Sequence, residues 1–225
     1  MKLTDGTTAT ADGPQSRRGD PRSRRGVCRL TTLIVAAAAV LASCGGDDDD
    51  SSGLAGYRIE PVPEVADVTL PDLTDGGADF HFRAQPESLL VVYFGYTNCP
   101  DFCPSTMANV KLARQQLDDP EQVDVAMVTI DPGRDLDVLP AYVTSFVPDA
   151  HALGTDDFEA LDRAAAPFGV SYEVKQAADG ETEVAHTTSL YAVNDAGQVV
   201  LTWPFGVTID QLAGDFEQLL ADAGD

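Results

Sequence analysis

The sequence predicts an α/β fold in three layers: a mixed central sheet flanked by helices, with a β-hairpin added on the N-terminal side. Three observations predict it. Residues 88–94 (SLLVVYF) and 123–130 (VDVAMVTI) are continuous apolar runs of strand length, rich in β-branched and aromatic residues, as in strands buried on both faces. Between them Met107, Val110, Leu112, Ala113 and Leu117 recur at roughly helical spacing, so the chain reads strand–helix–strand and the two strands pair in parallel. Past residue 180, short runs separated by turn residues read as antiparallel strands followed by a last helix.

The elements follow in order. Residues 68–73, a turn at Asp75-Gly76-Gly77 and residues 80–82 read as the hairpin. The loop 95–103 follows the first buried strand, and Pro104 suits the first turn of a helix running to Asp118. The second buried strand ends in the loop 131–135, with a helix to follow as far as Phe146. Residues 155–166 read as another helix, with Thr155 as its N-cap. Residues 170–175 and 183–193 flank an Asp179-Gly180 turn, and Asp195-Ala196-Gly197 turns into a strand at 198–202. Thr208 caps a final amphipathic helix carrying Ile209, Leu212, Phe216, Leu219 and Leu220. This order resembles the thioredoxin arrangement, with an insertion at about residues 136–180.

The chain of 225 residues divides into three expected parts. Residues 1–43 read as an export signal of lipoprotein type, 44–56 as an acidic flexible tether and 57–225 as the folded domain. The apolar run 30–43 is too short for a bilayer span, which needs roughly 20 residues, and fits a signal-peptide core. Arginines precede it, and Ser23-Arg24-Arg25 resembles a twin-arginine signal. Leu41-Ala42-Ser43-Cys44 resembles a lipobox, which makes Cys44 the expected lipid-bearing residue and places the domain outside the cytoplasm, anchored to the outer face of the membrane.

Charge narrows the function. The net charge is −23, which excludes a nucleic-acid partner because phosphates need a basic face. Seven of the 14 Lys and Arg precede Cys44, against three of the 37 Asp and Glu, so the chain from Cys44 onward carries −27. That acidity resembles the surfaces of halophilic proteins, in which salt screens self-repulsion.

With Cys28 in the signal and Cys44 as the lipid site, Cys99 and Cys103 remain in the domain. A bridge four residues long closes too small a loop to stabilise much, so their use is chemical. They sit where a buried strand gives way to a helix, and backbone N–H groups there favour thiolate. The three-residue gap differs from the two-residue gap of redox thioredoxins, and residues four apart on a helix share a face. Two soft thiolates suit copper(I) or zinc; spacing alone leaves metal binding, redox chemistry and inert thiols open.

Residues 95–104 (GYTNCPDFCP) resemble the signature of the Sco/SenC family of copper chaperones. Residues 128–135 (VTIDPGRD) are similar to that family's second motif, and residues 184–195 (VAHTTSLYAVND) to its third, in the family's order. Ala185, where the family often has aspartate, and Thr187 depart from the pattern. The resemblance covers about residues 57–223. It implies a copper ion held by Cys99, Cys103 and His186, and a role in building the dicopper Cu-A centre of a terminal oxidase, whose subunit would be the partner. The alternative it leaves is a thiol–disulfide oxidoreductase acting through Cys99 and Cys103 on a partner's copper-site cysteines. A peroxiredoxin-like peroxidase lacks its Thr and Arg. Met107 shares the helical face of Cys103 and is read as core before axial ligand; His81 and His151 are read as structural or exposed, and Asp131 and Arg134 as ordering their loop.

Overall fold

The computed structural model describes residues 53–177 and 180–224. The export signal 1–43, Cys28, Cys44 and the tether as far as residue 52 lie outside the described residues. The elements are β1 Thr69–Asp72, β2 Ala78–His81, β3 Leu89–Gly95, α1 Phe102–Arg114, β4 Val123–Thr129, α2 Pro132–Asp135, α3 Leu139–Phe146, β5 His151–Leu153, α4 Phe158–Ala165, β6 Tyr172–Gln176, β7 Thr182–His186, β8 Leu190–Val193, β9 Val199–Trp203 and α5 Ile209–Ala223.

Seven strands form one sheet in the order β2-β1-β5-β4-β3-β8-β9. The β3, β4 and β5 strands run parallel, and β1 and β8 pair antiparallel at either side. The alternation of a strand splits the core in two. Leu89, Val91 and Tyr93 pack with Met107, Val110, Val143 and Phe216 of α1, α3 and α5 on one face. Leu90, Val92 and Phe94 pack with Leu161, Ala164 and Phe168 around α4 on the other. The expected three-layer fold with a mixed sheet and an N-terminal hairpin is the one observed.

Several boundaries differ from expectation, each for a local reason. The expected helix from Pro104 begins at Phe102, and its third residue is the proline, whose missing N–H costs nothing in a first turn. The N-cap of α4 is Asp157, whose carboxylate accepts from Glu159 N–H at 2.9 Å and Ala160 N–H at 3.1 Å; Thr155 instead accepts from Asp157 N–H. The stretch 136–180, expected as an insertion, supplies β5, a three-residue strand of the main sheet too short to show a period. The expected single strand 183–193 is two, because residues 187–189 carry the chain from the separate β6–β7 hairpin to the main sheet.

Buried Asp215 on α5 gathers distant pieces of chain. Its carboxylate accepts from Trp203 Nε1–H at 2.6 Å, Ala55 N–H at 3.0 Å and Gly56 N–H at 2.9 Å. Tyr57 then exchanges both backbone hydrogen bonds with Thr202, each 2.9 Å. The last residues of the expected tether are thus bonded to the domain. Trp203 is core, while Phe205 is exposed and meets the exposed Phe102 ring edge-on at 4.8 Å.

Candidate metal centre

Strand β3 is buried throughout and delivers the chain to the motif loop at Gly95. No side chain fits there: a Cβ on Gly95 would stand 2.6 Å from the Tyr93 ring and 3.1 Å from both Cys103 Sγ and Met127 Cε. The loop that follows is held from below by buried Asp135 of α2. Its carboxylate accepts from Thr97 N–H at 2.9 Å, Thr97 Oγ1–H at 2.6 Å and Thr129 Oγ1–H at 2.7 Å. Arg134 pairs with Asp131 three residues earlier, so the two order their own loop, as read from the sequence.

Helix α1 starts without a side-chain cap, since Asp101 makes no such bond. Its free N–H groups turn to sulfur instead: Cys103 N–H donates to Cys99 Sγ at 3.2 Å. Burial pushes the Cys99 thiol up, but N–H groups of Cys103, Asp101 and Phe102 together with the Cys103 thiol outweigh it, and the pKa falls below the ordinary value. Cys103 has no exposure, and burial pushes its thiol up to about 12. The Tyr93 hydroxyl donates to Cys103 Sγ at 3.4 Å. Both cysteines are free thiols. The pair is therefore asymmetric: Cys99 is the thiolate-forming sulfur and Cys103 the protonated one.

His186 ends β7, opposite Tyr172 in the hairpin. Its ring lies 5.7 Å from the Tyr96 ring and 6.3 Å from the Tyr93 ring, both edge-on. Nδ1 stands 2.8 Å from the Thr187 carbonyl, an acceptor, so Nδ1 carries the proton and the lone pair of the neutral ring is on Nε2. Burial lowers the His186 pKa against the opposing effect of the Thr187 and Phe94 carbonyls, which favours that neutral, ligating form. The structure thus joins Cys99 to Cys103 and sets the His186 ring against the rings of Tyr93 and Tyr96. Among the described residues no three His, Cys, Asp or Glu side chains converge on one point.

The donor chemistry fits a soft, low-coordinate ion: two free thiols, the N–H of one bonded to the sulfur of the other, and one neutral imidazole against the Tyr93 and Tyr96 rings. Met107 is buried in the same core as the pair. His81 is exposed, and His151 Nδ1 lies 2.6 Å from Asp72, in keeping with the expectation of structural or exposed histidines. Sequence reasoning missed Tyr93, Tyr96 and Asp135. Tyr93 and Tyr96 read as strand and loop aromatics, and Asp135 as one more loop acid; no local pattern distinguishes a buried acceptor of three hydrogen bonds.

The SCO1/SenC family model matches residues 77–221, a span that contains the cysteine pair, the Asp135 loop and His186. The chain belongs to the SCO1/SenC family. A mitochondrial SCO2 homolog of Danio rerio is 33% identical over 137 residues, covering 54% of this chain and 49% of that protein. The chain spans about half the length of the curated relatives it matches. The apo Sco1 solution structure from Thermus thermophilus aligns with a TM-score of 0.60 at 29% identity, over 76% of this chain and 95% of the other. ScoI of Bradyrhizobium japonicum, solved with copper bound, shares the fold at 24% identity and a TM-score of 0.57, over 67% of this chain and 96% of that one.

Proposed function

We propose that this SCO1/SenC domain is a copper-binding assembly factor that takes one copper ion on the Cys99 and Cys103 thiolates and the His186 imidazole, and serves the Cu-A subunit of a terminal oxidase. The observation that carries the reading is a pair of free thiols at an uncapped helix start, the backbone N–H of Cys103 bonded to the sulfur of Cys99, which is already favoured as thiolate. Copper(I) bound by thiolate and imidazole is held firmly, and exchange of one ligand at a time can pass it on. The copper-bound ScoI and the family membership support this reading.

Titration of the reduced domain with copper(I) against a competing chelator tests it. One equivalent binds, and His186→Ala weakens binding at least tenfold, as loss of one of three ligands requires. Equal affinity in His186→Ala removes His186 from the ligand set, and no binding by the parent removes the function.

The domain works, in this proposal, outside the cytoplasm of a salt-adapted cell, exported by residues 1–43 and anchored through lipid on Cys44. The mass of the mature N-terminus tests the anchor: an unprocessed residue 1 contradicts it. A second reading is favoured by the asymmetry of the thiols. A thiolate-forming Cys99 beside a protonated Cys103 is also the arrangement of an attacking and a resolving cysteine. Rapid turnover of model disulfides, with no copper passed to an apo Cu-A domain, would promote that oxidoreductase reading over copper delivery.

A further inference from the structure

A groove of about 300 Å³ opens beside the motif helix, between α1, the residues that follow β7 and the turn into α5. Ser105 and Asn109 of α1 form one wall, Thr188 and Leu190 a second, Phe205 and Ile209 a third. Ser105 lies two residues past Cys103, and Thr188 two past His186. The segments that carry the expected ligands therefore run on into its walls. Ligand sites span about 300–1,000 Å³, so this one is at the small end and has room for one or two large side chains.

Two aromatic rings stand at its mouth. Phe205 lines the groove and is 48% exposed; Phe102, directly before Cys103, is 50% exposed. The rings meet edge-on at 4.8 Å. Half-exposed rings in contact, continuous with an apolar groove, form the kind of surface that water leaves readily when a partner covers it.

Charge decides what fits. Among the described residues no lining side chain is charged, although the chain from Cys44 carries −27. The charged residues next to the lining in sequence are exposed acids. Asp101 precedes Phe102, and its carbonyl accepts from Ser105 Oγ–H at 2.6 Å. Asp210 follows Ile209, and its carboxylate accepts from Gln116 Nε2–H of α1 at 3.2 Å. The start of α5 is closed to anions, because it caps itself. Thr208 N–H donates to Gln211 Oε1 at 3.0 Å and Gln211 N–H to Thr208 Oγ1 at 3.3 Å, with Asp210 in the same turn. An acidic segment, or a second copy of this chain, would bring like charge to like.

We propose that this groove docks a segment of a partner protein that presents one or two large apolar side chains flanked by lysine or arginine. That this partner is the copper acceptor rests on the proposed function; the docking rests on the groove. The apolar side chain packs against Phe205 and Ile209 and supplies the affinity, while Asp101 and Asp210 receive the basic flanks and set the orientation. A partner seated there lies against the helix that carries Cys103, as passing an ion between two proteins requires.

Three synthetic peptides serve as probes of the reduced protein, followed through its backbone amide resonances: Lys-Lys-Phe-Leu-Lys-Lys, the same with glutamate for lysine, and the same with serine for the apolar pair. The first shifts the amides of Ser105, Asn109, Gly206 and Ile209; the other two leave them in place. Its binding weakens several-fold as the screening length falls from about 10 Å at 0.1 M salt to about 3 Å at 1 M. Phe205→Ser and Asp210→Lys each weaken it about fivefold or more, as loss of a main anchor does. Phe158→Ser, which removes an exposed ring on α4, changes nothing.

Equal shifts from the lysine and glutamate peptides, or from the serine peptide, overturn the proposal, as does equal affinity in Phe205→Ser and the parent. If the same amides shift with protein concentration alone while the sedimenting mass doubles, the occupant is a second copy and the proposal is wrong. A parent that takes copper but shows no such shifts loses the docking groove and keeps the proposed function. A parent that takes no copper yet seats the lysine peptide loses the proposed function and keeps the groove.

Discussion

Cys99 and Cys103 share a motif, a helix start and a core, yet their sulfurs are opposite in character. What separates them is where the backbone N–H groups of α1 point. Cys99 lies before the helix and receives them; Cys103 lies inside it and receives burial and the Tyr93 hydroxyl. Because the thiolate is the nucleophile, the two should differ in reactivity. Alkylation of the reduced metal-free domain near pH 7.5, mapped by mass, should modify Cys99 at least ten times faster than Cys103. The Cys99 rate should rise through a midpoint below that of an ordinary cysteine. Equal rates, or Cys103 ahead, would contradict the asymmetry. The sequence showed that a sulfur pair sits at a strand-to-helix junction; that Cys99 caps the helix in place of Asp101 follows from the loop's backbone path, which Asp135 and Gly95 set from a distance.

At the scale of elements, the sheet edge is assembled by short, weakly patterned pieces that hold one another through polar contacts. Asp72 ends β1 opposite Leu153 of β5, accepts from Thr74 N–H at 2.9 Å and Thr74 Oγ1–H at 2.6 Å, and meets His151 Nδ1 at 2.6 Å. Burial pushes its carboxyl up, but the Thr74 and His151 contacts outweigh it and its pKa lies below the ordinary value. The folded pKa is therefore lower than the unfolded one. The stabilisation is complete above the unfolded value of about 3.9 and is lost as pH falls through the folded value. Asp72→Asn should cost about 1–3 kcal/mol at pH 7 and much less at pH 2–3, read from denaturant midpoints at both. A cost that stays the same at acid pH would show that the charge contributes nothing. The hairpin and the long strands were legible because each carries its own apolar pattern. Strand β5 was not: three residues hold too little pattern, and β5 exists because β4 and β1 supply its hydrogen-bond partners.

For the whole molecule the dominant fact is charge. The chain from Cys44 carries −27, and many of the cations it has are already engaged. Arg114 binds Asp149 bidentately at 2.7 and 2.5 Å, Arg134 pairs with Asp131, and Lys175 meets Glu173 at 2.7 Å. The remaining acids repel one another over a screening length of about 10 Å at 0.1 M salt, which shrinks to about 3 Å at 1 M. Thermal unfolding of the reduced metal-free domain should move upward between those salts, by about 2–4 °C for each kcal/mol of repulsion relieved. A flat or falling midpoint would contradict the salt-adapted reading.

The sequence by itself determined the three-layer class, the strand–helix–strand unit and the placing of the Cys99 and Cys103 pair at a strand-to-helix junction. Each depends on a local apolar period or a motif in which the chemistry-bearing side chains are neighbours in the chain. Only the tertiary structure decided that His186 ends a separate hairpin with its ring against Tyr93 and Tyr96, where the sequence reads a single strand over 183–193. It alone decided that Asp135 holds the motif loop and that Asp215 ties residues 55 and 56 to α5. These contacts join residues far apart in the chain, and their energy comes from burial and from donors on other elements, neither of which a local pattern records.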